Sequence, residues 1–478
     1  MQDRVTQQAG HRDDQQFGQQ DGQQNGLYPP TVKPSARALP LLPFIARFVR
    51  NPLRSLPRAV YDEPIVTYGK KQNRPLVAWI TDPALLETVL LKEAHRFPKT
   101  RLDKRVLKPV VGEGLLTADG DHWRWQRKLA SPLFRHSEII GFVPSMVAAT
   151  LEQVSRWRAA GPKLTSDVLV DMTETTFAVI ARTILAGINE AEGDEIKRAG
   201  HAYLEPITWE VAAALLLLPE TLWHPGRRQM RQAAIDIRAT VQRLLDHRRA
   251  LGTEGNDLVA RMLTAINPNT GAPMTDAELV DNLATFLLAG HDTTAKALTW
   301  TLYLLARAPE WQERVRSEIN DVTGGAAIAP EHIARLEVTL RVLKESMRLY
   351  PPVPVMTRVS AEDTEIGGKL LPKPTLVVIP IYAVHRHRAI WDDPDRFDPD
   401  RFLPDAEAKM ARTQFMPFGF GPRVCIGSAF AMIEATTILA TLLQNARFDW
   451  DGRHLPEPIS RVTLRPKGGM PLKISMLQ

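Results

Sequence analysis

Phe418-Gly419-Phe420-Gly421-Pro422-Arg423-Val424-Cys425-Ile426-Gly427 holds the only cysteine of this 478-residue chain, and an apolar helical pattern follows from Ser428 to about Leu443. The cysteine therefore sits between tight-turn glycines and a helix N-terminus. Backbone N–H groups point outward there, and the helix dipole favours negative charge. Both effects lower a thiol pKa and stabilise a thiolate, and Arg423, two residues earlier, adds a cation.

A thiolate in this setting has three readings. It is an inert buried cysteine, the commonest case in general. It is a nucleophile, which needs a histidine base that no neighbouring sequence supplies. Or it is a metal ligand. A lone cysteine excludes intrachain disulfides and any zinc site with two thiolates, and it suits a reducing compartment. A single thiolate best suits one axial position on a haem iron.

A second stretch stands out upstream. Thr275 to Glu278 is a capping box, and a helical pattern runs from it to Ala308, where Pro309 stops it. At about 1.5 Å per residue such a helix is roughly 50 Å long and crosses a whole domain. Ala289-Gly290-His291-Asp292-Thr293-Thr294 lies at its middle, a run of weak helix formers. Close packing against another helix, with the threonines bonding back to their own carbonyls, is one reason for such a run. A local opening of the helix towards a ligand, with an acid and an alcohol side by side, is the other.

The flanking sequence sets the frame. Residues 1–26 hold nine glutamines and few apolar groups, so residues 1–35 are expected to form a disordered Gln-rich tail. The apolar-basic stretch Leu39 to Arg50 reads as a first short helix packed on the domain or as a segment touching a membrane surface. Residues 64–82 read as a hairpin. Helical periodicity covers roughly 83–92, 122–129, 139–158, 168–186, 195–218, 228–250 and 257–266, and a strand-like region spans about 353–384. Hydrophobic residues make up 44% and charged residues 24%, which a folded globular chain has. The net charge is +6 without a block of five or six like charges, which argues against nucleic acid. The most apolar run, Val211 to Leu218, is far short of the roughly 20 residues of a membrane span. No secretory signal pattern opens the chain, so a cytoplasmic location is expected.

The cysteine loop resembles the haem-binding signature of the cytochrome P450 family, Phe-x-x-Gly-x-Arg-x-Cys-x-Gly, matched at Phe418, Gly421, Arg423, Cys425 and Gly427. Ala289-Gly290-x-Asp292-Thr293-Thr294 is similar to the family's oxygen-activation motif. Glu345-Ser-Met-Arg348 looks like its Glu-x-x-Arg motif. Spacing alone is uninformative here, since Glu195–Arg198 and Glu313–Arg316 fit it too, and an ordinary surface pair of this spacing contributes about 0.2–0.5 kcal/mol. Its weight comes from the following Leu349-Tyr-Pro-Pro and its place 80 residues before the cysteine. Arg401 matches the arginine that completes a Glu-Arg-Arg network, structural and not catalytic. Trp123 and Arg127, four apart on one helical face, match the family's Trp-x-x-x-Arg, where both reach a haem propionate. Their alternative is a half-buried aromatic beside a surface arginine. Arg358 resembles a further propionate ligand, and His122 is a weaker candidate.

The resemblance covers roughly residues 36–475. It implies a mainly α fold with a small β portion, haem between the long central helix and the cysteine-loop helix, and a single haem domain over residues 36–478. It implies haem b held by Cys425 and contacted by Trp123, Arg127, Arg358, Phe418, Arg423 and Gly427. It also implies proton delivery by Asp292 and Thr293 and insertion of one oxygen atom of O2 into a C–H or C=C bond. Asp292 is alternatively an ordinary helix salt-bridge partner.

With about 50 residues after Cys425 and no dinucleotide fingerprint, electrons are expected from a separate acidic ferredoxin or flavodoxin-type donor with its NAD(P)H reductase. Arg124, Lys128, Lys344 and Arg412 are candidate docking charges. The substrate walls expected above the haem are the loop Val106 to Leu116, the helix Tyr203 to Leu218, Leu287, Ala289, Val353 to Met356 with Val355 and Met356 foremost, and the Gly469-Met470 turn. They are apolar, which suits a fatty acid or terpenoid-like compound. The rivals are a haem-thiolate peroxygenase or isomerase, a non-catalytic haem-binding protein, and a cysteine hydrolase.

Overall fold

The computed structural model describes residues 26–71, 74–184, 190–250, 258–267 and 270–477. Its axis is the helix Asp276–Arg307. The capping box at its start is formed: Thr275 Oγ1 accepts from the Glu278 N–H at 3.3 Å, and Glu278 Oε2 accepts from the Thr275 N–H at 2.8 Å. Most of the helix is buried, against the helices Val168–Thr183, Arg227–Ala250, Glu337–Leu349 and Ser428–Asn445. These elements share one hydrophobic core.

The helix does not open at its weak-former run. It is continuous from end to end, and Thr293 and Thr294 bond back to the carbonyls of Ala289 and Gly290 at 2.9 and 3.4 Å. Gly290 lets the neighbouring helix approach closely: a Cβ there would stand 2.9 Å from Ile180 Cδ1, which would have to shift. Helix packing therefore accounts for the composition.

The strands come from both halves of the chain. β1 (Ile65–Lys71) and β2 (Arg74–Ile80) form the expected hairpin. The region 353–384 supplies β4 (Met356–Val359), β5 (Thr364–Ile366), β6 (Lys369–Leu371) and β7 (Leu376–Ile379), then a helical turn at Ile381–Val384. β2 pairs in parallel with β7, Ala78 opposite Val377, giving the order β1-β2-β7-β4. Side chains alternate across β2: Ala78 and Ile80 enter a second, smaller core, while Trp79 joins the main one. β3 (Lys163–Asp167), β11 (Pro471–Met476) and β8 (Ala446–Asp449) form a second sheet, and β9 (Pro458–Ser460) with β10 (Leu464–Pro466) a two-stranded ribbon.

Several expectations are corrected. Residues 26–35 are not tail. The Phe397 N–H donates to the Leu27 carbonyl at 2.9 Å, Tyr350 Oη donates to the Pro30 carbonyl at 2.8 Å, and Val32 is buried. Residues 1–25 lie outside the described residues. The stretch Val106 to Leu116 is not a loop throughout, because Arg101–Val111 is a helix started by a Thr100/Asp103 capping box. The pattern Tyr203 to Leu218 breaks at Pro206 into the ends of two helices, Glu190–Leu204 and Ile207–Leu215, since proline cannot donate the helix hydrogen bond. The first helix, Leu41–Arg50, packs on the second of these through a bond from Thr208 Oγ1 to the Val49 carbonyl, but Leu42 remains 78% exposed.

Candidate functional site

The cysteine loop is closed by its own backbone. The Cys425 N–H donates to the Phe418 carbonyl at 2.9 Å. Gly421 sits at φ 75°, and a Cβ there would stand 1.9 Å from the Leu90 carbonyl oxygen, so only glycine fits. Gly427 caps the helix Ser428–Asn445 and hydrogen-bonds Cys425 through its backbone. Phe134 lies 3.8 Å from where a Gly427 Cβ would stand and stacks on Phe286 of the central helix, centroids 5.8 Å apart, so this ring sits between the loop and that helix.

Cys425 is accessible, yet protein surrounds it, as befits a side chain facing an internal cleft. Burial pushes its thiol up, and the Gly427 bond and Arg127 offset this only in part. The protein alone therefore does not lower the thiol, contrary to expectation. The cation acting on the sulfur is Arg127, whose Nη1 donates to the Val424 carbonyl at 2.9 Å, and not Arg423. Arg423 binds Asp119 Oδ1 and the Ala118 carbonyl, both at 2.8 Å, and lies 3.9 Å over the Trp123 ring.

Four cations crowd this side of the loop. Burial, with Arg423 close by, pulls Lys99 down to about 8, and burial pulls Arg423 down to about 10 despite Asp119. Arg358 is lowered by burial and faces Asp103 and Asp119. Arg127 is the fourth. Lys99, absent from the sequence reading, has no motif to mark it. His122 turns to Gln126 at 2.7 Å and to Glu278 at 3.8 Å instead.

Behind the loop, Glu345 and Arg348 form a fully buried bidentate pair at 2.6 and 2.7 Å. Arg401 Nε approaches Glu345 Oε1 at 3.7 Å, and the Asp398 N–H donates to the same oxygen at 2.9 Å. Glu313–Arg316, with the same spacing, is a surface pair whose glutamate is 70% exposed.

On the central helix, Ala289 is exposed and Thr293 half-buried, although the helix runs through the core. Leu287 is completely buried, so it is core and does not line this opening. Val355 and Met356 are half-buried, and Met356 Sδ lies 3.3 Å from where a Gly419 Cβ would stand. Asp292 is paired with Lys296, and Thr463 Oγ1 donates to Asp292 Oδ2 at 2.9 Å. Burial raises the Asp292 carboxyl, but Lys296, His291 and the Thr463 bond outweigh it, and the group ends below the usual carboxylate range. Burial also pulls Lys296 down, yet the ionised pair is the form its contacts favour, since each ammonium proton has an acceptor. Lys296 was legible as a position four after Asp292; Thr463 was not. Glu434, fully buried in the helix Ser428–Asn445, was also missed. Burial raises it to about 8, with Thr294 the hydroxyl beside it.

Of the candidate docking charges, Arg124 pairs with Asp121, Lys344 with Glu407 and Arg412 with Glu87; Lys128 is exposed. Among the described residues no group of three or more His, Cys, Asp or Glu could hold a metal ion, and no helix is long and apolar enough to cross a membrane.

The family model for cytochrome P450 matches residues 39–472. An 11-oxo-beta-amyrin 30-oxidase of Glycyrrhiza uralensis is 32% identical over 428 residues, covering 83% of this chain and 78% of its own. A cyclooctat-9-en-7-ol 5-monooxygenase of Streptomyces melanosporofaciens is 31% identical over 420 residues, covering 88% and 90%. The crystal structure of the cytochrome P450DA heme domain superposes with a TM-score of 0.78 at 25% identity, covering 92% of this chain and 94% of that one. The chain belongs to the cytochrome P450 family and is an oxidoreductase.

Proposed function

We propose that this cytochrome P450 is a monooxygenase that takes O2 and electrons from a separate donor and hydroxylates or epoxidises a lipophilic small molecule of the fatty-acid or terpenoid kind. The observation that carries the reading is Cys425: the only sulfur of its type, facing a cleft, with Lys99, Arg127, Arg358 and Arg423 gathered beside it against Asp103 and Asp119. That donor set fits haem b, with Cys425 as the axial ligand and the cations as partners for the two propionates. Haem bound there supplies the dioxygen chemistry.

The residues of the chain do the rest. Trp123, held between Arg127 and Arg423, fixes the direction of both guanidiniums. Phe418 and Gly427 hold the sulfur in place through the loop's backbone bonds. Glu345, Arg348 and Arg401 keep the segment behind the loop rigid. Asp292 takes up a proton and Thr293 passes it on towards the substrate side of the cleft.

Ala289, Val355 and Met356 present apolar surface to the substrate, and two relatives named for 11-oxo-beta-amyrin and cyclooctat-9-en-7-ol support a lipophilic one. The +6 charge suits an acidic ferredoxin or flavodoxin-type donor in the cytoplasm. The test is a screen of lipophilic compounds by the haem Soret shift, followed by oxygen uptake with a surrogate ferredoxin and its reductase. Ligands that shift the band and then stimulate uptake with an oxygenated product support the proposal. Product formed equally well with hydrogen peroxide alone would favour a peroxygenase, and binding without turnover a carrier.

A further inference from the structure

We propose that Lys296 and Thr463 are positioning residues for Asp292: they hold its carboxylate in one orientation against the turn that precedes β10, and the acid takes up and passes on its proton from that position. The proposal rests on the reading of Asp292 as the proton relay and names the groups that control it.

The contacts form a closed ring. Lys296 follows Asp292 by one helical turn and contacts both carboxylate oxygens. Its third proton goes to Thr463 Oγ1 at 2.6 Å, and that hydroxyl donates in turn to Asp292 Oδ2 at 2.9 Å. The Lys296 side chain is 6% exposed and that of Asp292 21%, so the acid keeps a small opening and its partner a smaller one. A lysine is rarely buried without a specific partner, because desolvation of the ammonium must be offset by contacts. A helix surface pair of this spacing needs no third member. Here the third member arrives from a residue 171 positions away.

The ring is also tied to the outside. Thr463 and Arg465 are two apart in the chain at the start of β10. Arg465 pairs with Glu205, just past the end of the helix Glu190–Leu204, and lies 3.3 Å from His201. Arg461 approaches Glu205 at 4.0 Å. Movement of the helix end would therefore pull on the segment that carries Thr463. The other titratable groups facing the pair are His291 on the same helix, which burial pulls down, Lys197 near His291, and Arg465 near Lys296. The step moves one proton from solvent to an Asp292 oxygen and on to Thr293 Oγ1, which releases its own proton forward. Only O–H bonds form and break, and the carboxylate is regenerated.

The test uses the haem-loaded enzyme with its electron donor. Product formed per NADH consumed, the pH profile and the KM for substrate are measured for wild type, Lys296→Met, Lys296→Arg, Thr463→Val and Asp292→Asn. Infrared spectra of the same proteins without turnover report the protonated Asp292 carboxyl. Lys296→Met and Thr463→Val should lower product per NADH by roughly tenfold, less than the roughly 10²–10⁴-fold that a general acid itself contributes, with KM unchanged. Lys296→Arg should recover most of it. Beyond the band that buried Glu434 gives in every variant, a further carboxylic-acid band absent near neutral pH in wild type should appear in Lys296→Met and vanish in Lys296→Met/Asp292→Asn. Should Lys296→Met fail to fold, Thr463→Val, which keeps the charges, decides. Wild-type coupling in Thr463→Val and Lys296→Met, with a loss in Asp292→Asn, overturns the positioning role and leaves the relay standing. Wild-type coupling in Asp292→Asn overturns the relay itself.

Discussion

Replacing Glu345 by glutamine changes almost nothing but charge, which makes it a sharp probe of the scaffold behind the cysteine loop. Arg348 is fully buried and every donor of its guanidinium is used: two on Glu345, and three on the carbonyls of His385, Pro394 and Arg396 at 2.8, 2.7 and 3.0 Å. The glutamine amide can accept only one of the two bonds and turns an N–H towards the other donor. It also leaves Arg348 as a buried charge without a counter-ion and takes from half-buried Arg401 one of its acidic neighbours, leaving Asp398. Breaking a buried pair in this way costs about 3–5 kcal/mol. That is a large part of the roughly 5–15 kcal/mol by which a folded domain is stable. Glu313→Gln is the built-in control, because Glu313–Arg316 has the same spacing at the surface and its loss should cost less than about 0.5 kcal/mol. The assay is urea unfolding of both variants, with haem content of the purified protein alongside. Glu345→Gln should shift the midpoint far more than Glu313→Gln and purify with less haem. Equal small shifts would refute the reasoning.

Three further outcomes follow from other contacts. Gly421→Ala should abolish stable haem incorporation, since its Cβ would overlap the Leu90 carbonyl at a left-handed φ; wild-type haem content would contradict the loop geometry. Gly290→Ala should change stability by less than about 1 kcal/mol in thermal unfolding, because the helix-propensity gain is set against a contact that the flexible end of Ile180 can relieve. His385 is held neutral by burial and by Arg348, down to about 3 against an ordinary 6.5. Its unfolded form binds more protons below pH 6.5, so it contributes stability that is lost as pH falls from 6.5 towards 3, and His385→Gln should flatten that limb of the acid-unfolding curve. An unchanged limb would show that other groups dominate acid unfolding.

What the sequence made legible was local. The capping box at Thr275 and Glu278, the hairpin at residues 64–82 and the glycine-framed cysteine loop all depend on neighbours in the chain, and each formed near where it was expected. The break at Pro206 was also legible, but the apolar run around it read as one helix. What escaped depends on distant partners. Thr463 gains meaning only by meeting Asp292, Lys99 only by meeting Arg358 and Arg423, and the order of residues 26–35 only through Tyr350, Tyr382 and Phe397. The weak helix formers around Gly290 illustrate the converse error: an unusual composition suggested an opening, and the approach of Ile180 explains it instead. Leu287 fell to the wrong side because helical phase, not proximity to Ala289, decides which side chains meet the cleft.

The central claim is that Cys425 binds a haem iron through its sulfur. The most direct measurement is the absorption spectrum of the reduced protein under carbon monoxide, compared with that of Cys425→Ser. The account predicts the red-shifted band of sulfur-ligated haem in the wild type and its loss in the variant. A wild-type spectrum typical of nitrogen-ligated haem, or an unaltered spectrum in Cys425→Ser, would contradict it.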